Sequence, residues 1–212
     1  MGLFAITIST NYDDLLNIII HQNQRFFTRW YIVTSASDTK TIDVVRTANY
    51  PNIELLFYDF KAGGAIFDKF GATRMAQLHC MSMHGPDKLT LFLDSDIYLP
   101  DNFLDTLKTM RIEWSTLYGA FERFDVGTLS SLRRKDTTKR FPWANHLLGF
   151  FQLFIQTSER LHRSSNDCSE GDLRFHSYFR KKMLLPLTVF HLGESGMHWS
   201  GRSATTDFAI DE

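Results

Sequence analysis

Two aspartates one residue apart, Asp94 and Asp96, have the types and spacing that most suggest chemistry. They follow the apolar run 89–93, which predicts a buried strand. Residues two positions apart in an extended chain point the same way, so both carboxylates are expected to reach one site. Two carboxylates at one site repel each other unless a cation separates them, and Mn²⁺ or Mg²⁺ would do so while also binding a diphosphate. The simpler alternative is a solvated strand end, or caps for the helix that follows.

The elements that must position these carboxylates alternate in type. Apolar, strand-like runs occupy residues 4–9, 30–34, 53–58 and 89–93, and helical periodicity occupies residues 15–20 and 68–83. This order predicts an α/β domain with a single, mostly parallel central sheet flanked by helices. Ligands of such sheets bind beyond the carboxyl ends of the strands, where Asp94 and Asp96 lie.

The second half of the chain has a less regular pattern. Further strands are predicted at residues 118–124, 150–155 and 187–192, and a helix at 172–182. The basic stretch 130–140 has few apolar residues and predicts an exposed loop. We expect one domain over residues 1–202, followed by a polar tail, or the start of a linker, over residues 203–212.

Composition excludes several classes of protein. The formal net charge of -1 argues against a dedicated nucleic-acid binder. No apolar run has the length that a membrane span needs, and the N-terminus lacks the features of a signal peptide. The two cysteines are too few for a zinc site built from thiolates and suggest free thiols in a reducing compartment. The expectation is a cytoplasmic protein that does not insert into membranes.

The strand, the Asp94-x-Asp96 pair and the following Ile97-Tyr98-Leu99-Pro100 resemble the GT-A glycosyltransferases. The resemblance extends over residues 4–202 and is closest to the small glycosyltransferase domains of the chlorella-virus type. It implies a GT-A type fold and transfer of a hexose or deoxyhexose from a UDP-sugar to a glycan or glycoprotein acceptor. The acceptor of a virus-encoded member would be a viral glycoprotein glycan, and the implied cofactor is Mn²⁺ or Mg²⁺.

The resemblance also implies roles on the donor side. Asp94 and Asp96 would hold the metal, and the nucleotide sugar would be bound by a wider set of residues: Ser9, Thr10, Tyr12, Asp38, Arg74, Asp94, Ser95 and Arg202. Within that set, Tyr12 would pack on uracil, Asp38 would contact the base, and Arg74 would approach base or phosphate. Arg202 suits a diphosphate clamp because its planar fork matches phosphate oxygens, although a plain surface arginine fits equally.

Residues 170–202 supply the remaining candidates. His191 is the first choice for a third metal ligand and His198 the second, although a histidine in an apolar context is more often a satisfied core residue. Glu170 and Asp172 resemble the acidic motif near the acceptor, where one carboxylate acts as general base; a helix cap is the alternative. No paired Glu-Asp is present, which leaves retention or inversion open. The tryptophans that suit sugar stacking, or the core, are Trp143 and Trp199.

Two other functions compete with this interpretation. A nucleotidyltransferase that makes sugar nucleotides shares the α/β layout, but it usually has a glycine-rich, basic loop after the first strand. Residues 9–14 here contain no glycine and two acids. The other competitor is a non-catalytic sugar-binding module, which would bind sugar without transferring it.

Overall fold

The computed structural model describes residues 2–142, 147–164, 171–193 and 208–210. Within these ranges the chain forms one mixed sheet of eight strands with helices on both faces. The strands are β1 Leu3–Ile8, β2 Arg29–Thr34, β3 Ile53–Phe57, β4 Lys88–Leu93, β5 Ile97–Tyr98, β6 Thr116–Val126, β7 Phe151–Gln156 and β8 Lys181–Leu192. The α-helices are α1 Asp13–Asn23, α2 Thr39–Ala48, α3 Lys69–His84, α4 Phe103–Thr109, α5 Leu129–Arg133 and α6 Gly171–His176. The α/β fold with a single central sheet flanked by helices, predicted from the sequence, is confirmed.

The strand order is β3-β2-β1-β4-β7-β6-β8-β5. Strands β3, β2, β1 and β4 are parallel, β7 runs antiparallel between β4 and β6, and β8 is parallel to β6. The carboxyl ends of β1, β4, β6 and β8 therefore share one edge of the sheet. The residues that follow β4 and those that end β8 meet at this edge.

Alternation along the strands divides the apolar side chains between two cores. On one face, Leu3 and Ala5 pack with the buried side of α1. On the other face, Phe4 and Ile6 pack with α3 and with Phe175 of α6. The period-two pattern of a strand covered on both faces explains why β1 is almost continuously apolar.

The last helix and strand differ from the sequence prediction. The helix predicted at 172–182 ends at His176, and the strand predicted at 187–192 begins at Lys181. Pairing with β6 over Thr116↔Lys181 and beyond outweighs the local helical pattern. Pro186, which cannot donate a ladder hydrogen bond, lies where the register with β6 shifts.

Two segments expected to be loop or tail contact the sheet. The predicted loop 130–140 contains most of α5, and Arg140 bridges Phe124 of β6. Within the predicted tail, Phe208 is buried in the core and Ala209 bridges Thr128. The domain boundary at residue 202 stays a prediction. None of the described helices is both long and apolar enough to cross a membrane.

Asn23 at the end of α1 fixes the chain just after the two aspartates. Its fully buried side chain donates to the carbonyl oxygen of Ile97 at 2.7 Å and accepts from the amide of Leu99 at 3.0 Å. One side-chain amide thus satisfies a carbonyl of the short strand β5 and the amide of Leu99, the residue directly after it. The turn that carries Asp96 is tied to α1 by this contact.

The substitution Asn23→Ala should lower the free energy of unfolding by about 3 kcal/mol, because it leaves a buried carbonyl and a buried amide without partners. The matched control is Asn102→Ala, since Asn102 is exposed and makes no capping hydrogen bond with its side chain. That control should cost less than about 0.5 kcal/mol. Urea denaturation of the two variants measures the difference, and equal midpoints would contradict this role of Asn23.

Candidate functional site

Asp94 and Asp96 lie in a turn, not in extended chain. The amide of Ile97 bonds to the carbonyl of Asp94 at 3.3 Å, and residues 95 and 96 form the turn. The expectation that both carboxylates point the same way along a strand is therefore wrong. Asp94 forms an ion pair with Lys69 of α3, whose Nζ lies 2.8 Å from Asp94 Oδ1, whereas Asp96 is buried against β8.

Asp96 faces His191, the predicted third ligand. The register Ile97↔His191 brings them together, and His191 Nε2 lies 3.3 Å from Asp96 Oδ2. On its other side, His191 Nδ1 lies 3.2 Å from Asp125 Oδ1 of β6. Arg123, which also belongs to β6, pairs with Asp125 at 3.0 Å. Four charged or ionisable side chains thus form a chain of contacts under the strand ends.

The protonation states of this chain of contacts support one another. Burial lowers the pKa of His191, but the carboxylates of Asp96 and Asp125 outweigh it and hold that pKa well above its ordinary value. Burial raises the pKa of Asp96, and the charges of His191, Arg123 and Lys69 outweigh this and hold it low. Asp125 is held low in the same way by His191 and Arg123.

The donor set fits a hard divalent cation, with two carboxylates and one imidazole. Asp96 Oδ1 is buried and has no hydrogen-bond partner among the described residues, which is the state expected of an atom that awaits a ligand. The described residues nevertheless contain no ready-made cluster of three His, Cys, Asp or Glu side chains around one point. Lys69 must release Asp94, and His191 must move off Asp96 Oδ2, before both aspartates and His191 can share an ion.

A narrow cleft opens beside Asp94, between α3, α6 and the ends of β1 and β4. Asp172 lines it and accepts a hydrogen bond from the amide of Gly149 at 3.0 Å. A Cβ at position 149 would lie 2.2 Å from Asp172 Oδ2, so only glycine fits there. Burial raises the pKa of Asp172, with the charge of Lys69 opposing the shift and that of Asp94 adding to it. Asp172 therefore lies in the first turn of α6, where a helix cap was the alternative, and its carboxylate also faces the cleft.

His162 forms another wall of the cleft, and the sequence analysis missed it. Its ring is stacked between Phe70 at 4.9 Å and Phe175 at 4.2 Å. Burial, with the nearby charge of Lys69, lowers its pKa to about 3. His162 is therefore a neutral imidazole in a largely aromatic wall.

The end of β1 carries two unpaired hydroxyl groups. Ser9 Oγ and Thr10 Oγ1 are buried and have no partner among the described residues, which suits the predicted contacts to a nucleotide. Asp38 instead caps α2, where it accepts from the amide of Thr41 at 3.2 Å and from the amide of Asn11 at 2.8 Å. Tyr12 is partly buried against the core. The predicted contacts of Tyr12 and Asp38 with a base stay predictions.

Helix α3 carries Lys69 and Arg74, and of these two Lys69 contacts Asp94. Arg74 is exposed and donates to the carbonyl of His162 at 3.3 Å, outside the cleft. The sequence analysis did not select Lys69. A lysine in the first turn opposes the helix dipole, and that local conflict is a sequence signal that could have marked it. Gly71 of the predicted Gly-x-x-Arg motif is needed because a Cβ there would meet Asp68, which caps α3.

Ser95 is buried within the turn, where its predicted contact with the nucleotide sugar stays untested. The other predicted site residues lie outside the described residues: Glu170, His198, Arg202, Trp143 and Trp199. Arg123 and Asp125 were also missed. Arg123 is a charged residue inside the strand predicted at 118–124, which was a usable signal, whereas Asp125 lies just beyond that prediction.

Comparison with known proteins adds a likeness of fold. No family model and no curated protein sequence matches the chain. Two structures of 4-diphosphocytidyl-2C-methyl-D-erythritol synthase match with a TM-score of 0.50 and 12% identity. The one from Anaerococcus prevotii is matched over 97% of this chain and 91% of its own, and the other over 86% and 87%. Together with the sheet, this likeness confirms the predicted fold class.

Two weaker likenesses carry no further argument. Mouse xyloside xylosyltransferase 1 matches with a TM-score of 0.38 and 12% identity, over 73% of this chain and 67% of its own. Mannose-6-phosphate isomerase from Helicobacter pylori matches with a TM-score of 0.40 and 13% identity, over 57% of this chain. This chain spans about half, 51%, of that isomerase.

Acid should destabilise the protein through His162. Its pKa is lowered in the folded state, so the unfolded chain takes up a proton as the pH falls below about 6.5 while the folded chain does not. Between pH 7 and pH 5 this proton uptake should lower the free energy of unfolding by about 2 kcal/mol.

In His162→Phe, which keeps an aromatic ring between Phe70 and Phe175, that part of the pH dependence should be absent. Urea titrations at both pH values measure it, with the exposed His21→Phe as matched control. Wild-type pH dependence in His162→Phe would refute the neutral, buried state of His162.

Proposed function

We propose that this chain is a metal-dependent glycosyltransferase that moves a hexose or deoxyhexose from a UDP-sugar to a glycan acceptor. The carrying observation is the buried Asp96, which contacts His191 and whose Oδ1 has no partner among the described residues. A buried carboxylate with an unpaired oxygen is energetically costly unless a cation binds to it. Its place at the carboxyl ends of the strands is where α/β sheets bind nucleotides.

Asp94, Asp96 and His191 are the residues that would hold Mn²⁺ or Mg²⁺. The ion would supply positive charge at the diphosphate, where negative charge builds as the sugar leaves. Lys69 starts 2.8 Å from Asp94 and can turn from that carboxylate to a phosphate oxygen of the donor. In this proposal Lys69, and not Arg74, is the cation of α3 that contacts the phosphate of the donor.

The remaining residues bind and orient the substrates. The hydroxyls of Ser9 and Thr10 donate to the nucleoside, while Asp38 keeps the loop after β1 in shape through the amide of Asn11. Asp172 faces the cleft with a raised pKa, which makes its carboxylate a stronger base for the proton of an acceptor hydroxyl. A base on this side suits an inverting reaction.

A nucleotidyltransferase that joins a sugar phosphate to a nucleotide is the second candidate. The observation that favours it is the likeness to the two synthase structures, which extends over most of both chains. Against it, residues 9–14 lack the glycines and basic side chains that would hold a triphosphate. Released UDP from a UDP-sugar would support transfer, whereas released pyrophosphate from a nucleoside triphosphate and a sugar phosphate would support the synthase reaction. Sugar binding with neither product would indicate a binding module.

Calorimetry with UDP, GDP and CMP, each with and without Mn²⁺, tests the donor site. UDP should bind, and only with the metal, because an ion held by Asp94 and Asp96 would supply the positive charge that the diphosphate needs. Asp96→Asn should lose this metal effect, while the exposed Asp105→Asn should keep it. Equal binding of the three nucleotides, or no effect of Mn²⁺ on the wild type, would remove the basis for the proposal.

Lys69→Met should weaken UDP binding at saturating Mn²⁺ by about 10- to 100-fold, the effect of losing one charge-assisted hydrogen bond of about 1.5–3 kcal/mol. Arg74→Met, a neighbouring cation on the same helix, is the matched control and should bind UDP like the wild type. The same calorimetric titration measures both. A larger loss in Arg74→Met than in Lys69→Met would restore the assignment made from the sequence.

A further inference from the structure

His191 has two ring nitrogens, and the proposed metal site uses only Nε2. The other nitrogen, Nδ1, lies 3.2 Å from Asp125 Oδ1. The parallel pairing of β6 and β8 sets this approach through the register Asp125↔His191. The contact has ion-pair distance, while its angle falls short of a hydrogen bond.

Asp125 is itself held in place by Arg123. Arg123 Nε and Nη2 both lie 3.0 Å from Asp125 Oδ1. The guanidinium lies over the ring of Phe141 at 4.2 Å and within 5.0 Å of the ring of Phe150. Arg123 is only 6% exposed, so it cannot rearrange without moving packed aromatic side chains.

A buried ion pair of this kind is weak evidence of a stabilising role. Removing two charges from water costs several kcal/mol per ion, and apolar residues of similar volume often replace such a pair without loss. Arg123 and Asp125 therefore need another reason to lie inside the sheet. The nearest one is the imidazole of His191, since a carboxylate on the far nitrogen is the usual way to orient a metal-binding histidine.

We propose that Asp125, held by Arg123, is a positioning residue that turns Nε2 of His191 toward the metal site. This proposal rests on the proposed function, because it takes Asp96 and His191 as metal ligands. Asp125 does not touch the substrate or the ion. It acts by fixing the orientation of the ring, so that Nε2 faces the position of the ion.

The test replaces the whole buried pair and not one half of it. Asp125→Val alone would leave Arg123 buried without its carboxylate and could unfold the protein. The double variant Arg123→Met with Asp125→Val keeps the packing against Phe141 and Phe150 and removes both charges. Thermal unfolding should show this variant to be folded, with a midpoint close to that of the wild type. The matched control is the exposed pair, Asp105→Val with Lys108→Met.

Two readouts of Mn²⁺ follow binding at His191 without measuring turnover. Titration followed by electron paramagnetic resonance gives the affinity, and electron spin echo modulation detects an imidazole nitrogen on the bound ion. The wild type and the exposed-pair control should bind Mn²⁺ with that nitrogen signal. The double variant should bind about 10- to 100-fold more weakly and lose the signal.

A folded double variant with wild-type affinity and an intact nitrogen signal would overturn the positioning role and leave the proposed metal site standing. A wild type that binds no Mn²⁺, or whose Mn²⁺ shows no imidazole nitrogen that is lost in His191→Ala, would overturn the metal ligation by His191 and the positioning role together. A lower affinity with an unchanged nitrogen signal would also overturn the positioning role, because the ring would then still reach the ion.

Discussion

The contacts of the site depend on one constraint, the free-energy cost of burying the charged carboxylate of Asp96. A carboxylate that is only 6% exposed cannot remain charged without compensation, and the protein supplies it with the imidazole of His191. That imidazole is in turn compensated by Asp125, and Asp125 by Arg123. One oxygen of Asp96 still lacks a partner among the described residues. The proposed metal site rests on this unpaired oxygen, because a divalent cation is a group that would bind it.

The sheet makes this arrangement possible by bringing distant strand ends to one edge. Asp96 follows β4, Asp125 lies near the end of β6, and His191 lies near the end of β8. Strand pairing over β6 and β8, and the short antiparallel pair of β5 with β8, sets all three side chains within contact. On the other side of the turn, α3 brings Lys69 to Asp94, and α6 brings Asp172 to the cleft. The buried ion-pair chain and the cleft therefore flank the same turn, one on each side.

Local patterns in the sequence predicted much of this. The alternation of strands and helices up to β4 is read from periodicity, and Asp94, Asp96 and His191 stand out because each lies at the end of an apolar run. Patterns of this kind do not reveal pairing between distant segments. Asp125 and His191 are 66 positions apart, and only the β6–β8 register brings them together. The same pairing extended β8 back to Lys181, where local propensity had predicted helix. The turn at Asp94–Asp96 was missed, although Asp and Ser are residues that favour turns.

The most direct test of the account is a crystal grown with UDP and Mn²⁺, with anomalous diffraction recorded at the manganese edge. One strong anomalous peak should lie within coordination distance, about 2–2.5 Å, of carboxylate oxygens of Asp94 and Asp96 and of Nε2 of His191. Lys69 would then have left Asp94 for a phosphate oxygen of UDP. A manganese peak elsewhere in the molecule, with UDP bound away from the ends of β1 and β4, would contradict the account. A crystal with UDP in the cleft and no manganese peak beside it would contradict the account's central claim that a cation completes Asp96.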